Sequence, residues 1–418
     1  MRRDPSDPPP LADPHADPHA DPHDDPHADP HDDPHDVAAA TTARRFRDAR
    51  VPPAGVHLDS AAAGRSSRAV LAAVHAHTVA ETVHGAAPAL ARAAGVLDRG
   101  RAQTLDLLGG QAGAALAFTH SAGDALNRLV ALLLPTAEAR RAGVLRVRGE
   151  YAPNSAAWRA AGVRDRVVGS GPRIDPEEFD AALRRELRAG RPAFVHLTWV
   201  GSHVGTVQDV GALLAVARDH GLPTVVDAAQ AFAHVDTRAA AAADVVYGTS
   251  RKWLTGPRGV GFCALRGRFA ALAPRMEPFE AHHAGRVGFA HAVAELHDLG
   301  PADVVAGLAA VGARTRAVLR DLPAWDVVEA GPEGTTAPGA TTTLRPRGAV
   351  PPDVTASVAR LAAHGVLVTA AGRERSEEMT ADVLRVSPHL DVTEADLARV
   401  RALLLDPPTG DLAESLPQ

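Results

Sequence analysis

The sequence is short of two reactive residue types: it has one lysine, Lys252, and one cysteine, Cys263, in 418 residues. One cysteine excludes an intrachain disulfide, so we expect a reducing, cytoplasmic location and interpret Cys263 as a buried core thiol. No apolar run reaches the roughly 18 residues of a membrane span, and no secretory signal is evident. A net charge of −6 without a basic, aromatic-rich stripe argues against a nucleic-acid partner.

The lone lysine predicts amine chemistry. All other positive side chains are arginine, whose guanidinium stays protonated and cannot act as a nucleophile at neutral pH. Lysine forms covalent bonds with carbonyl compounds and with pyridoxal phosphate. Chance retention of one lysine in an arginine-rich chain is the alternative, so the residues around Lys252 must decide.

The N-terminal segment is a repeat rich in His, Asp and Pro, with a histidine at every fourth position: His15, His19, His23, His27, His31 and His35. Proline blocks helix formation at each repeat, so residues 1–50 are expected to form a disordered tail. Such a tract can bind metal ions weakly. A translated upstream region is the other interpretation, with the folded body beginning near Val37 or Val51.

The remaining chain alternates strand-like and helix-like segments, which predicts an α/β fold with a mostly parallel, doubly wound sheet. We expect a large domain over 51–275, a smaller α+β domain over 276–408 that begins with a long Ala-rich helix, and a flexible C-terminus over 409–418. The strand-like segments of the large domain are "AALAFTH" (114–120), "GVLRVRGEY" (143–151), "RDRVVGS" (164–170), "PAFVHLTWV" (192–200), "TVVDAAQ" (224–230), "DVVYGTS" (244–250) and "VGFCAL" (260–265).

Polar side chains follow several of these strands, where open α/β sheets bind ligands. Pyridoxal phosphate requires an amine, an anion beside its pyridine nitrogen, a phosphate site and a flat partner for its ring. Lys252 supplies the amine and Asp227 the anion, although an Asp after a strand can also cap a helix. The other candidates are Ser121, Ala122, Thr249 and Ser250 for the phosphate and Tyr151 for the ring face.

Five ordered motifs carry a family resemblance: "LDSAA" (58–62), "EYAPN" (150–154), "VDAAQ" (226–230), "SRKWLTGPRGVG" (250–261) and "LRVSPH" (384–389). Over residues 56 to 405 the chain resembles the class V aminotransferase family, which includes cysteine desulfurases and kynureninase. The resemblance implies pyridoxal-phosphate fold type I and a homodimer. It implies that Lys252 bonds covalently to the cofactor.

The same resemblance implies roles for further residues. Asp227 would contact the pyridine nitrogen, Gln230 the phenolic oxygen, and Ser121, Ala122 and Thr249 the phosphate. Tyr151 lies where many members stack a histidine on the ring. Arg385 would bind the substrate carboxylate. Apart from the resemblance, we expect Asn154, His203 and Arg251 to be further substrate-binding residues.

The activity implied is carbon–sulfur β-elimination from a small amino-acid substrate. The segment "TAAGRERSEE" (369–378) has no cysteine where cysteine desulfurases carry their mobile one, which excludes persulfide formation. "VHLTWVGSHVG" and "SRKWLTGPRGVGF" resemble one carbon–sulfur lyase branch of the family. The alternatives are a lyase for cysteine or simple cysteine sulfoxides, an epimerase-like relative, or a metal-buffering scaffold that acts through the tail.

Overall fold

The computed structural model describes residues 34–110, 112–329 and 339–405. The expected flexible C-terminus and the His-rich repeat before residue 34 lie outside these ranges. The strands are β1 (Val56–His57), β2 (Ala115–Thr119), β3 (Val144–Val147), β4 (Asp165–Val168), β5 (Phe194–Thr198), β6 (Thr224–Asp227), β7 (Val245–Thr249), β8 (Gly261–Leu265), β9 (Trp325–Val327), β10 (Thr342–Pro346), β11 (Val366–Leu367), β12 (Thr369–Ala371) and β13 (Val383–Val386).

The helices surround these strands. They are α1 (Pro34–Asp48), α2 (Arg68–His84), α3 (Ala86–Leu107), α4 (Ala122–Leu133), α5 (Ala137–Ala142), α6 (Ala152–Ala160), α7 (Pro176–Ala189), α8 (Val210–Asp219), α9 (Ala273–Met276), α10 (His283–Leu299), α11 (Pro301–Leu319), α12 (Val354–Ala363) and α13 (Glu394–Leu405).

The main sheet has seven strands in the order β2-β8-β7-β6-β5-β3-β4. Strands β4, β3, β5, β6 and β7 are parallel, and β8 runs antiparallel to both of its neighbours. The central strands are buried along their whole length, as near-continuous apolar runs predict for a sheet covered on both faces. The predicted α/β fold with a mostly parallel sheet is therefore confirmed.

A second sheet is antiparallel and has the order β12-β13-β10-β9. The sequence analysis did not predict two short strands, β9 and β1. Strand β1 pairs in parallel with β11. Strands β1 and β9 have only two or three residues, too few to show an apolar alternation. Through the pairing of β1 with β11, the chain before the main sheet reaches the C-terminal part of the molecule.

The expected Ala-rich helix after residue 275 is in fact two helices, α10 and α11. Gly300 separates them with φ = 82°, a conformation that favours glycine, and Pro301 opens α11 at a position where its missing N–H costs nothing. Helix α10 packs on both α2 and α3. It thus contacts the large unit across the boundary predicted at residue 275, and that boundary stays a prediction.

The disordered tail predicted over residues 1–50 is wrong for its last part, because α1 packs on the helix α11. Phe46 is 3% exposed and its ring stacks on His389 at 4.1 Å between ring centroids. Arg50, also buried, forms an ion pair with Glu295 at 2.8 Å. The apolar and aromatic residues after Val37 were the signal for a packed helix that the prediction overlooked.

Two remaining observations concern exclusions made from the sequence. Cys263 lies on β8 and is fully buried, and burial raises the pKa of its thiol. No helix among the described residues is long and apolar enough to cross a membrane.

Candidate active site

A cavity of about 290 Å³ opens at the carboxyl ends of β5, β6 and β7. Parallel strands bring their ends to this one edge of the sheet, so residues far apart in the chain meet there. The lining includes Ser121, Ala122, Gly123, Tyr151, Asn154, Thr198, Ser202, Asp227, Gln230, Thr249, Arg251, Lys252 and Arg375.

Lys252 lies in the turn after β7 and lines this cavity. Burial lowers the pKa of its amine to about 7, an effect that the carboxylate of Asp227 opposes and that nearby arginines reinforce. An amine with this pKa is substantially unprotonated at neutral pH, as nucleophilic or basic chemistry requires.

The turn that carries Lys252 is fixed by a hydrogen bond and a close backbone contact with Gly64. The N–H of Gly64 donates to the carbonyl of Arg251 at 2.8 Å, and a Cβ at Gly64 would lie 2.4 Å from the carbonyl oxygen of Lys252. Thr255 has φ = 58°, unusual for a β-branched residue. Its hydroxyl accepts a hydrogen bond from Arg50 at 2.8 Å. Arg50, two residues beyond the end of α1, therefore supports the strained turn that carries the lysine.

Asp227 ends β6 at the floor of the cavity. Its Oδ1 accepts from the N–H of Ala229 at 2.8 Å, and its Oδ2 accepts from Asn154 Nδ2 at 3.0 Å and Tyr247 Oη at 3.2 Å. Burial raises the pKa of this carboxyl, and the charge of Glu150 raises it further. Within the described part of the chain, no basic side chain forms an ion pair with Asp227. A buried carboxylate in this state fits the protonated pyridine nitrogen of pyridoxal phosphate.

Behind Asp227 lies a buried polar network that the sequence analysis missed. Glu150 Oε2 is 2.7 Å from His196 Nδ1, and His196 Nε2 is 2.9 Å from Tyr247 Oη, which reaches Asp227. Burial alone would raise the pKa of Glu150, but the imidazole and its other hydrogen bonds lower it. Asn154 also donates to Glu150 at 2.9 Å. The network fixes the orientation of the Asp227 carboxylate.

The other end of the cavity suits a phosphate. Ser121 caps α4 by accepting from the N–H of Asp124 at 3.1 Å, and the first-turn N–H groups of Ala122 and Gly123 have no partner within the helix. Thr249 lines the same wall. Ser250, predicted as a further donor, does not: it is fully buried, and its Oγ points at the position where Gly256 leaves room for it.

Gln230 lines the cavity, but both ends of its amide already have partners. Its Nε2 donates to the carbonyl of Ala61 and its Oε1 accepts from Trp253 Nε1, each at 2.9 Å. Trp253 in turn stacks on His234 at 3.7 Å between ring centroids. The indole is therefore packing that supports Gln230 and the lysine turn. Tyr151 is the N-cap residue of α6 and lines the cavity, and its stacking on the cofactor ring stays a prediction.

Two predicted substrate-binding residues lie elsewhere than expected. Arg385 is 1% exposed and does not line the cavity; its guanidinium donates to the carbonyl of Ser202 and to Asp59 Oδ1. The arginines that do line the cavity are Arg251 and Arg375. His203 does not line this cavity either. Arg385, on strand β13, is unavailable to the cavity because its guanidinium is buried and bonds to groups inside the fold.

The chain matches the family model described as aminotransferase class-V over residues 56–399. A probable hercynylcysteine sulfoxide lyase of Mycobacterium tuberculosis (strain CDC 1551 / Oshkosh) is 40% identical over 380 residues, covering 86% of this chain and 92% of that protein. A cysteine desulfurase of Klebsiella pneumoniae subsp. pneumoniae is 28% identical over 54% of this chain and 56% of its own length.

Solved structures show the same fold at low identity. A cysteine desulfurase from Thermococcus onnurineus NA1 has a TM-score of 0.72 at 17% identity, covering 84% of this chain and 94% of that one. A C-DES mutant with glycine linked covalently to its PLP cofactor also scores 0.72, at 15% identity, covering 85% and 97%.

This chain belongs to the aminotransferase class-V family, as its motifs predicted. It is an enzyme whose cofactor is pyridoxal phosphate, and the amine, the unpaired buried carboxylate and the capped helix start described above fit that group.

Proposed function

We propose that this enzyme is a carbon–sulfur lyase that cleaves hercynylcysteine sulfoxide to a sulfenic acid, pyruvate and ammonia. The observation that carries the proposal is the match to the mycobacterial lyase over 86% of this chain and 92% of that protein. The absence of cysteine from residues 369–378 supports it against persulfide chemistry. The product would be the sulfenic precursor of ergothioneine, which a two-electron reductant converts to the thiol form.

The cofactor, when bound, supplies an electron sink for the charge that develops at the substrate Cα. We propose Lys252 Nζ as the residue that bonds to the cofactor and then accepts the α-proton, for which its lowered pKa supports the assignment. Asp227, held by Asn154 and Tyr247, maintains a negative charge at the cavity floor. The C–S bond breaks with its electron pair on sulfur, and hydrolysis of the three-carbon fragment gives pyruvate and ammonia.

The remaining site assignments follow the cavity. We propose that Ser121, Ala122 and Thr249 hold the phosphate, that Tyr151 lies against the ring, and that Gln230 faces its phenolic oxygen. Arg375 and Arg251, which line the cavity, are the cations available to a substrate carboxylate. Arg385 acts indirectly, by holding the carbonyl of Ser202 and the side chain of Asp59.

The proposed assembly is a homodimer in the cytoplasm. Apolar side chains exposed on α2 and on the loop before α10 support a dimer: Leu71, Val79, Val83 and Phe279. The single cysteine supports a reducing location. Light scattering of the purified protein would measure the mass, and a monomeric mass would refute the dimer.

The substrate is tested by incubating the holoenzyme and a reductant with hercynylcysteine sulfoxide, L-cysteine or S-methyl-L-cysteine sulfoxide, while pyruvate and ergothioneine are measured. A strong preference for the first compound is expected. Equal turnover of the short sulfoxide would favour the alternative of a general cysteine-sulfoxide lyase. No turnover of the first compound would refute the proposal.

A further inference from the structure

A second cavity, of about 400 Å³, adjoins the cofactor cavity. It lies at the carboxyl ends of β3, β4 and β5, and its far side is formed by β10, β13 and residues 378–381. It therefore lies between the seven-stranded and four-stranded sheets, at the same edge of the main sheet as Lys252.

The two cavities are lined by the same segments of the chain. Thr198 lines both of them. In the loop after β5, Val200 and Ser202 line the cofactor cavity, whereas Gly201 and His203 line the second one. The segment after β3 divides in the same way, with Arg148 and Gly149 on the second cavity and Tyr151 and Asn154 on the first.

The second cavity is positively charged. Arg148, which is half-buried, and Arg345, which is exposed, line it, and neither guanidinium group forms a hydrogen bond or ion pair with any residue that the structure describes. The carboxylate of Glu378, also in the lining, is already paired with Arg146 at 2.6 Å. Two unpaired guanidinium groups in a cavity are suited to a carboxylate, which they can bind through paired N–H donors.

A neutral imidazole completes this lining. The Nδ1 atom of His203 is buried and has no hydrogen-bond partner in the structure. Burial lowers the pKa of His203 to about 4, so its ring is uncharged at neutral pH and offers one donor and one acceptor. Because Nδ1 is covered by the protein, a heteroaromatic ligand in this cavity would hydrogen-bond to the other ring nitrogen, Nε2.

We propose that this cavity binds the half of the substrate remote from the reacting bond, with its carboxylate on Arg148 and Arg345 and its imidazole near His203. The inference rests on the proposed function, because the histidine betaine part of hercynylcysteine sulfoxide carries both groups. A single amino acid needs only the cavity at Lys252, so the second cavity would set the preference for the longer substrate.

The kinetic test compares two substrates. In the double variant Arg148→Ala/Arg345→Ala, kcat/KM for hercynylcysteine sulfoxide should fall about 100-fold, as expected for two charged contacts of about tenfold each. For S-methyl-L-cysteine sulfoxide it should change by less than about twofold. Arg188→Ala, which removes an exposed arginine from α7, is the matched control and should change neither.

A binding test separates the subsite from the reaction. Calorimetric titration of hercynine, which has no C–S bond, should show binding to wild type and to Arg188→Ala, and at least about tenfold weaker binding to the double variant. Equal losses for both substrates, or unchanged hercynine affinity, would overturn the subsite. Failure of wild type to cleave hercynylcysteine sulfoxide would instead overturn the proposed function.

Discussion

The two neighbouring cavities differ in what their polar groups already do. Around the cofactor cavity, the side chains of Asp227 and Gln230 already form hydrogen bonds with other protein groups, and a buried network extends from Asp227 to Glu150. In the second cavity, the guanidinium groups of Arg148 and Arg345 and the Nδ1 atom of His203 have no hydrogen-bond partner among the described residues. The first region is organised before any substrate arrives, as catalysis requires. The second retains unsatisfied groups, as selective binding requires.

This difference predicts that substitutions in the first region affect every substrate, and Lys252→Ala should have the largest effect. Loss of the amine should lower turnover of both long and short sulfoxides by about 10³-fold or more. It should also remove the yellow absorbance of the covalently bound cofactor. Lys252→Arg keeps the charge without a nucleophilic amine and should behave in the same way; a coloured, active arginine variant would contradict the assignment.

Asp227→Asn should come next, because it removes the buried negative charge while retaining the shape. We expect about a 100-fold loss of kcat for both substrates. Tyr247→Phe removes one of the hydrogen bonds to Asp227 and should cost about tenfold or less. Tyr247→Phe should also shift the pH at which the absorbance of the bound cofactor changes. Equal effects of the two variants would mean that the network contributes more than orientation.

Arg50→Ala tests the support of the lysine turn by the segment that follows α1. It leaves the carboxylate of Glu295 without its partner and Thr255 without its donor, so we expect a loss of about 3 kcal/mol in the free energy of unfolding. Denaturant melts would measure the loss, and absorbance would show whether the cofactor is retained. The double variant Arg50→Ala/Glu295→Ala is the control and should recover part of the stability; no recovery would exclude the ion pair as the cause.

The smallest expected effect is a pH dependence of stability caused by His234, a buried residue whose ring stacks on Trp253. Its Nδ1 donates to the carbonyl of Gln230 and its Nε2 accepts from the N–H of Ala340, so the ring is neutral in the fold. Burial lowers its pKa from 6.5 to about 4.

Between pH 6.5 and 4 the unfolded chain therefore binds more protons at this residue than the native protein, and stability falls as the pH falls. The contribution is at most about 3 kcal/mol. Denaturant melts of wild type and of His234→Gln at several pH values would measure it. The variant should show a shallower loss, and identical slopes would contradict the prediction.

Much of the fold could be predicted because long apolar runs between Gly and Pro mark buried strands: all seven strands of the main sheet fall within predicted segments. Residues at strand ends were also found, since the topology of a parallel sheet brings Asp227, Lys252 and Ser121 to one edge. The catalytic roles of these residues stay predictions.

What escaped the sequence analysis depends on contacts between distant residues. His196 on β5 and Tyr247 on β7 lie 51 positions apart, and they meet only because both strands pair with β6. Two polar residues within otherwise apolar central strands were the available signal. The burial of Arg385 could not be foreseen, because the sequence around this arginine does not show whether its guanidinium points into the cavity or into the fold.

The lone lysine has a consequence for how the cofactor is acquired. Aldehydes react with any accessible amine, and most proteins of this size present many lysines to them. Here the side chains offer a single amine, and it lies in the cavity where the aldehyde is needed. Loading should therefore follow one-to-one stoichiometry even in excess cofactor, and mild reduction should leave one labelled side chain in each protein molecule.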